Sequence, residues 1–215
     1  MRQTLLILFS LFAVFYIFFI DTIATNWIMV FKLIPMLLLL ILAFTTSIEQ
    51  VKRYKLIVCI GLLFCAIGDY TLQWFLIGLS SFLIGHLFYI AAFRSTNTAN
   101  TPLVVKILLS LYGLIMIIWI AGTIIQKNDF VLAGAVVLYI SVILTMGWTS
   151  FRVGTIWAVT GALLFIASDS VLAINRFIMD VSFSHQIIML TYYGAQLCFV
   201  ISIAKYDEVQ AKVVQ

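Results

Sequence analysis

Between Thr4 and Ala204 the chain is a succession of apolar runs, each close to the length that crosses a bilayer, broken only by short clusters of charged or polar residues. A spanning helix needs about 20 mostly apolar residues. Within hydrocarbon every backbone N–H and C=O must be satisfied inside the segment or in a closed barrel, and runs of this length point to helices. The breaks define eight spans, near residues 4–21, 26–46, 55–72, 76–94, 103–124, 130–150, 153–174 and 186–204. Residues 56–93 contain only one formally charged side chain, Asp69. They are too many for one span, so a tight turn is expected around 73–80. Composition agrees, with 65% hydrophobic and 9% charged residues, where a soluble domain carries about 25% charge. The expected fold is therefore all-α, an integral membrane bundle of about eight transmembrane helices forming one domain over residues 1–215. The run from Thr4 to Ile20 is longer than a signal-peptide core and lacks a small-x-small cleavage site after it, so it is expected to be a retained first helix.

The twelve Lys and Arg residues give a net charge of +4, but they flank the apolar runs as topology signals do, and no nucleic-acid partner is implied. With the N-terminus inside, Arg2, Lys52, Arg53, Lys55, Arg94, Lys106, Arg152, Lys205 and Lys212 fall on the inner side. Only Lys127 and Arg176 fall outside, with Lys32 within the second span. Both termini are thus expected in the cytoplasm, with the protein in a bacterial inner membrane. Cys59, Cys65 and Cys198 lie within apolar runs without a CxxC pair. They read as packing residues, with neither a disulfide framework nor a metal site.

Two carboxylates interrupt the apolar pattern. "GLLFCAIGDYTL" at 61–72 ends near Asp69, and "GALLFIASDSVL" at 161–172 places Asp169 in the same setting one hundred positions later. Ionisable residues within spans are costly and mark pathways or catalytic groups. Both aspartates fall late in spans that run outward, and Lys32 falls early in one that runs inward, so the three share the outer half of the membrane. His86, Tyr193 and Gln196 fall between there and mid-depth. The likeness of the two stretches, offset by an even number of helices, fits two four-helix halves in parallel orientation.

Each candidate has a plain reading and a chemical one. An aspartate at a span's end can be a solvated helix terminus. A deep one pairs with a cation or takes up a proton, and two sharing a proton supply one acid and one base. Lys32, three residues before Pro35, can snorkel to the interface, pair with an aspartate or meet a lipid phosphate. His86 shares a helical face with Phe82, Tyr89 and Phe93 and is either a packing residue or a group that orients water. Tyr193 and Gln196, at i and i+3, are interhelical glue or substrate contacts. Arg176, seven residues after Asp169, is a loop charge or a phosphate contact. The sequence contains no G-x-S-x-G, H-E-x-x-H, P-loop or dinucleotide fingerprint, and no cofactor is implied.

"FKLIP", "GLLFCAIGDYTL", "FLIGHLFYIAAF", "GALLFIASDSVLA" and "YGAQL" occur in this order, and together they resemble the lysoplasmalogenase-like (YhhN-type) family of multi-pass membrane proteins over most of Lys32 to Gln196. The resemblance implies hydrolysis of the vinyl ether of a lysoplasmalogen, a lysophospholipid, to a fatty aldehyde and a glycerophospho head group. It carries over Lys32, Asp69, His86, Asp169, Tyr193 and Gln196. Cys65 and Ala66 depart from the family's more ordinary serine and aliphatic choices, which touches local packing only. Vinyl ethers resist base and yield to acid, so an acid protonated near neutral pH and a base for water are required, and a desolvated Asp pair can provide both. On this reading Asp69 and Asp169 are catalytic, and Lys32 or Arg176 holds the phosphate. A proton-coupled transporter using the same carboxylates is the alternative. An intramembrane aspartyl protease is disfavoured, since Ala66 replaces that signature's first glycine and no Pro-Ala-Leu motif is present. A non-catalytic scaffold is the remaining reading.

Overall fold

In the computed structural model, which describes residues 1–22, 24–96 and 98–214, eight α-helices follow one another: α1 (Arg2–Phe18), α2 (Thr25–Thr45), α3 (Lys52–Thr71), α4 (Phe75–Arg94), α5 (Leu103–Gln126), α6 (Phe130–Ser150), α7 (Ile156–Phe177) and α8 (Ser184–Val214). No strand occurs among the described residues. Seven of the helices, α2 to α8, are long and apolar enough to cross a membrane, and α1 is a shorter apolar helix of 17 residues. The protein is a multi-pass helical membrane bundle.

Most boundaries fall within a few residues of the hydropathy reading, and the departures have local causes. The α3–α4 turn is tighter than expected, using only residues 72–74. Helix α7 starts at Ile156 because Gly154, at φ 72°, ends a short 3-10 turn and Thr155 then caps the helix by accepting from the Ala158 N–H. Helix α8 runs 31 residues, about 46 Å at 1.5 Å per residue. That exceeds a hydrocarbon core of about 30 Å, so its last turns project beyond the membrane.

This projection ties the bundle together. The Asp207 carboxylate accepts from the backbone N–H groups of Glu49 (3.1 Å), Gln50 (2.8 Å) and Val51 (3.2 Å). It thereby caps the start of α3, whose own N-cap residue, Val51, has no capping side chain. Tyr54 and Ser202 share a 2.8 Å hydrogen bond just below. Asp207→Ala should lower stability by about 1–2 kcal/mol and Asp207→Asn by less, since the amide keeps one acceptor. Unfolding of the two variants in detergent measures the difference, and equal loss in both would rule out a cap.

The packing repeats at the offset that the sequence suggests. A Cβ on Gly61 of α3 would fall 2.6 Å from the Tyr89 ring of α4, and one on Gly161 of α7 would fall 2.7 Å from the Phe199 ring of α8. Each glycine therefore admits an aromatic ring against the helix backbone. Aligning the halves on these pairs makes Phe82 the counterpart of Tyr192, His86 of Gln196 and Tyr89 of Phe199. Two of these pairs are also in contact: Phe82 and Tyr192 at 5.9 Å between ring centroids, Tyr89 and Phe199 at 4.5 Å. Counterparts meeting each other is the arrangement expected beside a pseudo-two-fold axis. The buried aromatics Tyr89, Phe93, Phe165, Tyr192, Tyr193 and Phe199 fill the centre around it.

Candidate active site

The apolar faces of α4 to α8 do not close completely. They leave a cavity of about 90 Å³, walled by residues such as Leu79, Phe82, Met116, Ile140 and Ile166 and also lined by Lys32, Asp69, Tyr139, Asp169, Arg176 and Tyr192. A largely apolar wall with a few convergent polar groups is the usual make-up of a small-molecule site.

Asp69 is 2% exposed, which removes the solvated-terminus reading for it. Both its oxygens are engaged. Lys32 Nζ lies 3.3 Å from Oδ1 and donates to the Asp69 backbone carbonyl at 3.0 Å, while the Tyr192 hydroxyl donates to Oδ2 at 2.6 Å. Lys32 is held in turn, because the Tyr193 hydroxyl donates to its backbone carbonyl at 2.7 Å. Of the readings open to Lys32, the structure places it as the counter-ion to an aspartate.

Asp169 has a different set of neighbours. The Tyr139 hydroxyl donates to Oδ2 at 2.5 Å, and among the described residues no cation lies within ion-pair distance. Lys32 of α2 and Tyr139 of α6 thus serve the two aspartates from corresponding helices. Tyr192 bonds Asp69, whereas its counterpart Phe82 has no hydroxyl to offer Asp169. Arg176 is exposed two turns beyond Asp169 on α7, about 10 Å along the axis, with its guanidinium 3.9 Å from the Phe75 ring centre, a cation–π contact.

Four of the seven candidate residues, Lys32, Asp69, Asp169 and Arg176, line this one cavity. The other three do not. His86 is fully buried, packed 4.5 Å from Phe165 and 5.4 Å from Tyr139 between ring centroids. Gln196 is also fully buried and accepts from the Tyr89 hydroxyl at 2.6 Å, and Tyr193 supports Lys32 from behind. The sequence reading does not single out Tyr139 or Tyr192. For Tyr139 the available signal is a phenolic hydroxyl in mid-span, too far from its own helix backbone to be satisfied there as a serine or threonine is, and so in need of a partner. For Tyr192 it is adjacency to Tyr193, which puts the two on different faces of α8.

Fold and site together define a helical membrane protein in which two carboxylates, Asp69 and Asp169, line one largely apolar cavity. Within that class the chain belongs to the YhhN family, whose sequence model matches residues 27–203. It is 34% identical over 168 residues to lysoplasmalogenase TMEM86A of Bos taurus, covering 69% of this chain and 65% of the relative's length. To lysoplasmalogenase TMEM86B of Sus scrofa it is 32% identical over 188 residues, 84% of this chain and 77% of the relative. With the lysoplasmalogenase of Mycobacterium tuberculosis (strain CDC 1551 / Oshkosh) it shares 32% over 133 residues, 55% and 49% respectively. The chain therefore spans less than two thirds of the bovine protein it matches. No solved structure is significantly similar to it.

Proposed function

We propose that the protein hydrolyses the vinyl ether bond of a lysoplasmalogen, releasing a fatty aldehyde and a glycerophospho head group, in a bacterial inner membrane. The observation that carries the reading is the unequal carboxylate pair on one apolar cavity: Asp69 with a lysine and a tyrosine, Asp169 with a tyrosine alone. The names of the relatives supply the substrate.

The asymmetry supports one assignment of the roles. Asp169, with no cation beside it and Oδ1 unengaged, carries the proton and delivers it to the vinyl carbon beta to oxygen. The alkene π pair forms the new C–H bond and leaves an oxocarbenium ion. Asp69, kept as a carboxylate by Lys32, stabilises that cation and accepts a proton from the water that adds to its carbon. The resulting hemiacetal collapses as its hydroxyl proton returns to Asp169 and the proton on Asp69 goes to the departing glycerol oxygen. Both carboxyls end as they began, and the sum is one water added across the vinyl ether. Arg176 binds the phosphate beyond them, and Tyr139 and Tyr192 orient the two carboxyls. His86, Tyr193 and Gln196 act behind the cavity wall, in positioning rather than in direct contact with lipid.

The test is incubation of purified protein with a vinyl-ether lysolipid and its matched ester and alkyl-ether analogues. Aldehyde from the vinyl ether alone is the expected result. Ester cleavage would replace the mechanism with acyl transfer, and solute accumulation in proteoliposomes without product would favour the transporter.

A further inference from the structure

A lipid bound as proposed has a tail that the enclosed part of the cavity does not accommodate. With the phosphate at Arg176 and the vinyl ether at Asp169, the tail continues away from Arg176. Ile166 lies only about one turn, or 5 Å, past Asp169 along α7. It is 7% exposed, and with Ile143 and Leu144, at 4% and 7%, it closes that end of the cavity. This leaves room for a few methylenes, and the remaining chain must pass through a wall.

One wall is built differently from the others. Helix α5 is the least buried of the seven long helices, with 17% of its span buried. Its packed stripe of Gly113, Met116, Ile120 and Ile124 lies largely against α6, and Ala173, Ile174 and Phe177 near the end of α7 pack against the same cluster. Toward α7 it offers Tyr112, whose hydroxyl meets Ser170 Oγ at 2.5 Å. Ser170 gives its own proton to the Ile166 carbonyl at 2.6 Å, so Tyr112 is the donor. Among the described residues this is the one side-chain hydrogen bond joining α5 to another helix. Tyr112 is 37% exposed, both partners line the cavity, and Ser170 directly follows Asp169.

We propose that the α5–α7 seam is the binding site for the lipid's hydrocarbon tail and its lateral portal to the bilayer, with the Tyr112–Ser170 hydrogen bond as the latch that parts when a single-chain lipid threads through. This rests on the lysolipid reading of the cavity. Outside the seam lie the exposed α5 side chains Leu108, Leu111 and Ile115, an apolar surface that matches a hydrocarbon chain and not a polar solute. The site then reads head group and vinyl ether and is indifferent to tail length.

The test pairs Tyr112→Cys with Ser170→Cys in one chain. Crosslinking with a short bis-methanethiosulfonate, which joins each thiol by a disulfide and spans the reach of the lost tyrosine ring, should reduce aldehyde release more than tenfold, and reductant should restore it, so the reduced state reports on folding. Phe64→Cys with Phe88→Cys, across the α3–α4 contact where the rings stack at 5.5 Å, should show no such response. In parallel, a non-cleavable alkyl-ether lysolipid with a diazirine at the tail end should label α5 and α7 in the wild-type protein and lose that labelling in the crosslinked variant. Full activity and labelling after crosslinking would overturn the portal, as would labelling of another seam or a steep dependence of kcat/KM on tail length. Crosslink-dependent labelling without hydrolysis in any form would preserve the portal and remove the enzymatic reading. If the double variant does not fold, the wild-type labelling pattern decides alone.

Discussion

Asp169→Asn is expected to lower aldehyde release by about 10²–10⁴-fold, the range removed with a general acid, while leaving the protein folded and in the membrane. The amide matches the carboxyl in shape and still accepts from Tyr139, whose hydroxyl donates to Asp169 Oδ2, but it has no acidic proton for carbon. Binding should survive, so a non-cleavable ether analogue should compete equally well for variant and wild type. Asp69→Asn should also lose turnover, and for another reason: Lys32 then faces a neutral amide, and neither the cation nor the attacking water is supported. Full activity in Asp169→Asn with loss only in Asp69→Asn would transfer the proton to Asp69. Full activity in both would leave the carboxylate mechanism without support.

The second large effect is on stability. Lys32→Met removes the cation from a carboxylate that is 2% exposed, and breaking a buried ion pair by deleting one partner costs about 3–5 kcal/mol. The lysine side chain is itself 13% exposed, which favours the lower end of that range. The informative comparison is the double variant Lys32→Met with Asp69→Asn, which no longer buries an unpaired charge and should regain most of the loss. Unfolding equilibria of the two single variants and the double variant give the coupling. Additive losses would show that lysine and aspartate act on stability independently.

Fold and site were legible to different degrees, for physical reasons. Span positions follow from hydropathy because the bilayer imposes a length on every segment, and seven helices have that length. The last turns of α8 escape the same reading. They are held by Asp207 contacts more than 150 residues distant in sequence, which no local pattern records. Asp69, Asp169 and Lys32 stand out because charge within hydrocarbon is rare. Tyr139 and Tyr192 do not, since a tyrosine in a span looks the same whether its hydroxyl packs, binds or orients a carboxylate. For His86 the spacing gives the correct face, shared with Phe82, Tyr89 and Phe93, and all four are buried. Periodicity does not say that His86 and Tyr89 turn to the aromatic centre while Phe82 reaches the cavity wall.

The paired glycine contacts, Gly61 on Tyr89 and Gly161 on Phe199, bear on how one site can hold two unlike carboxyls. Two identical subunits around a true dyad would surround both aspartates with the same atoms, and neither could specialise. Joining the halves in one polypeptide lifts that constraint. Substitutions at corresponding places, lysine against tyrosine and tyrosine against phenylalanine, can then accumulate on one side only. The cavity is framed by two halves with matching packing contacts, while the groups they bring to its carboxyls are one-handed.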